Sequence, residues 1–203
     1  FMPAFEQAFA EHAAEIDQIV NDKAAPTFEN TITALERSAK LLTKVSSVFY
    51  ALVGAHSNAD LLAIESDVAL RQARHWSAIM MNGALFGRVS SLYDQRAQLK
   101  LTAEEKRLLE RTFIRFRRSG AGLDAAAKAR MAEINERLAH LSTTFSHHVL
   151  AEEQGWTLEL GEGDRDGLSA PFIAAAEAAA AERGKPGKAV VTLSRSSVEP
   201  FLQ

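Results

Sequence analysis

Between Leu123 and Glu153 one pattern constrains the chain more than any other. Leu123, Ala127, Met131, Ile134, Leu138, Leu141, Phe145 and Val149 recur at spacings of four and three. An α-helix advances about 100° per residue, so these side chains line one narrow seam over about 45 Å of helix. A seam of that shape predicts lengthwise packing against a neighbour, with Leu138 and Leu141 buried in it. The flanking segments read as helices and can supply the partner, which argues against an isolated coiled coil.

Residues 3 to about 153 continue in the same manner. Pro3 stands just inside a helix start, and Phe5, Phe9, Ala13, Ile16 and Val20 form an apolar stripe. Pro26 interrupts the chain. Thr27 then caps a helix with Glu29 in its first turn, and Phe28, Ile32, Leu35, Ala39, Leu42, Phe49 and Val53 keep to one side until Gly54. Asn58 and Asn82 begin two further helices, the second ending near Arg96. Thr102 with Glu105 fits a capping box.

After Gly155 the period changes. "WTLEL" (156–160) alternates as a half-buried strand, "GEGDRDG" (161–167) is a polar loop, and Pro171 opens an alanine-rich helix that Gly184 ends. "KAVVTL" (188–193) is a second strand. Strand, helix and strand within 40 residues suffice for a small crossover unit. The expected fold is therefore mainly α: a multi-helix bundle with a long central helix over 1–153, then a strand–helix–strand unit over 154–203.

Composition excludes several classes. With 203 residues and 47 % apolar content the chain can bury a substantial core and is not disordered. No apolar run approaches the roughly 20 residues of a membrane span. The absence of cysteine removes disulfide and thiolate chemistry and suits a reducing compartment. A net charge of −3 gives no reason to expect nucleic acid.

The residues themselves disclose no active site. His140 and His147 are seven apart, and His148 precedes Glu152 by one turn, but no pair has the four-residue spacing of an H-E-x-x-H zinc helix. His12, His56 and His75 are scattered singles. Arg107, Arg111, Arg115 and Arg118 make a basic stripe that a polyanion or a carboxylate-bearing ligand could follow. Glu104, Glu105 and Glu110 share that helix, and local pairing with them is the expected outcome. "GKPGK" (184–188) lacks the length and hydroxyl residue of a phosphate loop and reads as a helix-stop turn. "SRSS" (194–197) has no histidine and acid partners of a nucleophilic triad.

At "PTFENTITALERS" (26–38) the chain resembles the amino-terminal region of zinc metallopeptidases of the thimet oligopeptidase group. The likeness continues through "LLERTFIRFRRSGAGLDAAAKARMAEINERLAHLSTTFS" (108–146) and returns at "AAAAERGKPGKAVVTLSRSSVEPFLQ" (178–203). The ending "TLSRSSVEPFLQ" is more similar to the bacterial peptidyl-dipeptidase branch than to the oligopeptidase A branch. The resemblance implies a longer, mostly helical, cytoplasmic enzyme. Its zinc, held by two histidines and a glutamate, would lie downstream of Gln203, with a further glutamate as general base. It also implies that this part walls a channel for short oligopeptides. No catalytic, cofactor-binding or metal residue carries over to the chain, and none is expected in it. The alternatives from other classes are a helical protein-interaction module and a section of an endo-acting oligopeptidase.

The ending bears on the same expectation. Ser196 and Ser197 are N-cap candidates, Glu199 and Pro200 suit a first turn, and Phe201 and Leu202 begin an apolar face. This reads as the start of a helix that continues in a longer chain, whose cut end could self-associate. Phe1 is not an initiator, which leaves room for an upstream segment.

Overall fold

The computed structural model describes residues 1–202. It is mainly α-helical and divides into two units, residues 1–143 and 144–203, with the division inside the longest helix. The boundary expected from sequence, between 153 and 154, falls near the end of that helix.

In the first unit α1 (Met2–Asn21) turns Phe5, Ala8, His12, Ile16 and Ile19 inward. That face is rotated from the expected stripe: Ala13 is exposed, and His12 takes the central buried position. Thr27 caps a π-helical turn (Phe28–Thr33), and its capping box is completed by the Asn30 side chain. The turn runs into α2 (Ala34–Arg37).

Here the structure departs from the single helix expected over 27–54. Ser38 is extended and Ala39 is left-handed at φ 59°, so α3 (Lys40–Ala55) starts afresh and passes Gly54 before ending. A left-handed residue with a Cβ costs about 1–2 kcal/mol. Two bonds hold the break: Ala39 donates its amide to Glu15 Oε2 at 2.8 Å, and Ser38 Oγ donates to the Leu35 carbonyl at 2.7 Å. The first of these reaches back to α1, so nothing local in "RSAKLL" announces it.

Asn58 caps α4 (Ala59–Met80) and Asn82 caps α5 (Gly83–Asp94), each accepting the amide three residues on. The capping box of Thr102 and Glu105 opens α6 (Ala103–Arg118). Ile16, Ile32, Leu85, Val89, Leu109 and Phe116 form one core cluster; Phe5, Ala8, Leu42, Phe49 and Val68 form another.

The long helix α7 (Ala125–Gly155) forms, with Asp124 Oδ1 accepting the Ala127 amide at 2.8 Å. Its seam, however, is not buried. Leu123, Ile134, Leu138, Leu141, Phe145 and Val149 are all exposed, Leu138 at 54 %. In the first unit α7 instead packs through polar contacts. Lys128 Nζ donates to the Met81 carbonyl at 2.9 Å, Asn135 Nδ2 to Ser77 Oγ at 3.0 Å, and Arg74 pairs with Glu136 at 2.9 Å. These three positions lie beside the seam, and using them leaves the apolar side chains in solvent.

In the second unit β1 (Thr157–Leu160) and β2 (Ala189–Thr192) pair antiparallel, with Thr157 opposite Thr192 and Leu160 opposite Ala189. The parallel arrangement of a crossover unit is not formed. Parallel strands need cover on both faces, whereas here Trp156 and Leu158 are exposed. Between the strands α8 (Ala170–Glu182) is capped by Ser169. Leu160, Ala176, Ala189 and Val191 make the core, against which Phe172 and Phe201 pack.

The last helix, α9 (Arg195–Leu202), starts earlier than expected. The Ser194 carbonyl accepts the amides of Ser197 and Val198 at 2.9 Å each, which places Ser196 and Ser197 inside the helix and Pro200 in its interior. Phe201 stacks on Phe172 at 6.2 Å, while Leu202 is 76 % exposed. No helix among the described residues is long and apolar enough to cross a membrane.

Candidate functional site

The face of α6 borders a charged depression in the first unit. Thr102 and Glu105 cap each other at its start: Glu105 Oε2 accepts the Thr102 amide at 2.8 Å, and Thr102 Oγ1 accepts the Glu105 amide at 3.2 Å. Among the described residues the expected pairing between acids and arginines of this helix reduces to one contact, Arg107 to Glu110 at 3.7 Å. Arg107, Arg111, Arg115 and Arg118 are all exposed and border a cavity of about 410 Å³ that also takes in Leu108, Ile114 and the opposed carboxylate of Glu36.

An adjoining cavity of about 340 Å³ shares Ile114 and Arg118. Its floor is aromatic, with Tyr93 stacked on Phe113 at 3.9 Å and 5° between planes. Arg96 lies 3.9 Å above the Tyr93 ring and Arg117 5.9 Å from that of Phe113. Guanidinium groups held against rings stay charged and oriented with less loss of side-chain freedom.

A second arrangement was not legible from sequence. His75 of α4 and His12 of α1 meet with Nε2 and Nδ1 2.9 Å apart, and His12 Nε2 lies 3.2 Å from Ser38 Oγ. Because the Ser38 hydroxyl donates to the Leu35 carbonyl, it accepts from His12 Nε2–H. The bare His12 Nδ1 then accepts from His75 Nε2–H. Burial lowers the pKa of both, that of His75 to about 4. For His75 the neighbouring His12 adds to the effect, and for His12 the carboxylate of Glu15 opposes it. Trp76, with its ring 5.3 Å from that of His12, and Arg115 border the small cavity beside the pair. The sequence places these histidines 63 positions apart, with no shared motif.

The remaining sequence candidates do not converge. Among the described residues no group of three or more His, Cys, Asp or Glu side chains could hold a metal ion. "GKPGK" is a helix stop, with Gly184 and Gly187 at positive φ and the Lys185 amide returning to the Ala180 carbonyl at 2.9 Å. Its lysines are engaged. Lys188 Nζ lies 2.8 Å and Lys185 Nζ 3.5 Å from the Glu159 carboxylate, whose pKa is lowered chiefly by the hydrogen bond from Lys188. The "SRSS" hydroxyls tie β2 to α9: Ser197 Oγ accepts the Thr192 amide at 2.9 Å, and Ser194 Oγ lies 3.0 Å from Thr192 Oγ1.

No family profile matches the chain. It is 35 % identical over all 203 residues to the dipeptidyl carboxypeptidase of Escherichia coli (strain K12). The Salmonella typhimurium protein of the same name is 34 % identical over the same span. Oligopeptidase A of Salmonella typhimurium is 24 % identical over 202 residues, or 99 % of this chain. In each case the chain spans 30 % of the relative's length. Along its whole length the chain is thus a relative of the amino-terminal part of the dipeptidyl carboxypeptidases and oligopeptidases A.

Proposed function

We propose that the chain is the amino-terminal section of a longer zinc peptidase that removes dipeptides from the carboxyl ends of short oligopeptides. The section supplies no catalytic residue. Its role is to wall and narrow the approach to a metal centre held elsewhere in the protein. Alignment of the entire chain with dipeptidyl carboxypeptidase at 35 % identity carries this reading. The exposed seam of α7 supports it, because Ile134, Leu138 and Leu141 form an apolar face that a larger protein would cover. When bound, the zinc would supply an activated water; every step through it belongs outside this chain.

The test is digestion of an unstructured nonapeptide by the full-length protein, with products followed by mass spectrometry. Successive loss of two-residue units from the carboxyl end, abolished by a chelator and restored by zinc, is the expected result. Internal cleavage would assign the protein to the endo-acting oligopeptidases. Absence of any cleavage would overturn the peptidase reading.

A further inference from the structure

We propose that the arginine face of α6 is a binding groove for acidic peptides, with a preference for carboxylates at alternate positions. Arg107, Arg111 and Arg115 succeed one another every fourth residue, and Arg118 extends the row. Four helical residues rise about 6.0 Å. Two residues of an extended peptide rise about 6.6 Å. A peptide lying extended along α6 therefore presents every second side chain to a successive guanidinium. From Arg107 to Arg115 the helix rises about 12 Å, close to the roughly 13 Å between the first and fifth residues of an extended peptide.

The charge balance favours such an occupant. Four arginines border the larger cavity against the carboxylate of Glu36, and among the described residues only Arg107 of the four has an ion-pair partner, Glu110, at 3.7 Å. Arginine forks bind carboxylates through paired hydrogen bonds, which adds direction to the attraction. The groove is not uniformly polar. Leu108 and Ile114 lie between the arginines, and the stacked Tyr93 and Phe113 floor its far end. Intervening apolar or aromatic side chains of the peptide have surfaces to cover. A nucleic acid is the poorer match, because the chain as a whole carries a net charge of −3 and would repel a long polyanion beyond the groove.

This proposal rests on the peptidase reading for its ligand class, so its test reads binding and not cleavage. Fluorescence anisotropy would compare a labelled peptide of Glu-Ala-Glu-Ala-Glu pattern with its Gln-Ala-Gln-Ala-Gln counterpart on full-length protein. The acidic peptide should bind more tightly, with a salt dependence the neutral one lacks. The R111Q/R115Q double variant should weaken acidic-peptide binding about three- to tenfold and leave the neutral peptide unchanged. R130Q, on α7 and paired with Glu133 at 2.8 Å, should change neither. Equal binding of the two peptides, an unaffected R111Q/R115Q variant, or tighter binding of a single-stranded oligonucleotide would each overturn the groove. Loss of cleavage with this binding pattern intact would instead count against the peptidase reading alone.

Discussion

His75 Nε2 lies 2.9 Å from His12 Nδ1, and the second nitrogen of His12 reaches Ser38 at the break between α2 and α3. The pair therefore joins three separate stretches of chain through neutral imidazoles. A proton added to His12 Nδ1 would oppose the His75 N–H that now points at it. Both folded-state pKa values lie below the ordinary histidine value of 6.5, that of His75 at about 4. Below pH 6.5 the unfolded chain therefore takes up protons that the folded one refuses. Stability should be full above pH 6.5 and fall as pH drops from 6.5 towards 4. Urea midpoints across this range test the sign, and His75→Gln, which keeps a donor for His12, should flatten the slope. A midpoint that rises on acidification would contradict the assignment of neutral histidines.

Arg88 and Asn30 form a second long-range junction. Arg88 donates to Asn30 Oδ1 at 3.1 Å and to the Asp22 carbonyl at 3.0 Å, while Asn30 donates to Asp22 Oδ2 at 3.0 Å. The arginine side chain is only 11 % exposed. Arg88→Met should remove the anchor of the 22–31 connection and cost about 2–4 kcal/mol. Chemical denaturation measures it, and a change under 1 kcal/mol would show that water replaces the guanidinium without loss.

The capping box of α6 gives a smaller and more local expectation. Thr102→Ala leaves the Glu105 amide without its acceptor and should cost about 1 kcal/mol. Thermal unfolding of the variant checks this. Because Thr102 lies outside the groove, acidic-peptide binding should not change.

Those caps show what was legible in the sequence. Thr27, Asn58, Asn82 and Thr102 act within three residues, so their side chains and the following pattern suffice to place helix starts. The left-handed Ala39 and the buried His12 depend on partners 24 and 63 positions away, and no local pattern encodes them. Strand existence was likewise readable, whereas strand direction depended on which faces found cover. For the basic stripe, arginine positions were evident. That, among the described residues, Arg107 with Glu110 is the one ion pair of α6 required coordinates.

The seam of α7 is the instructive failure. Its period correctly gave a long helix, but the period of a stripe does not say what covers it. With Leu138 exposed, Leu138→Ala should change the stability of the 203-residue chain by less than about 0.5 kcal/mol. Leu109→Ala, in the core, should cost about 2–5 kcal/mol. Comparable losses for the two would mean that the seam is packed after all.

The claim that this chain completes its packing within a larger protein is tested most directly at the same residue. The chain contains no cysteine, so Leu138→Cys introduces a single thiol on the exposed seam. Its alkylation rate, read by peptide mass mapping, should be close to that of a free thiol in the 203-residue chain. In the full-length protein it should be slowed at least tenfold. Equal, fast modification in both would contradict the account, because the apolar face of α7 would then remain in solvent with the rest of the protein present.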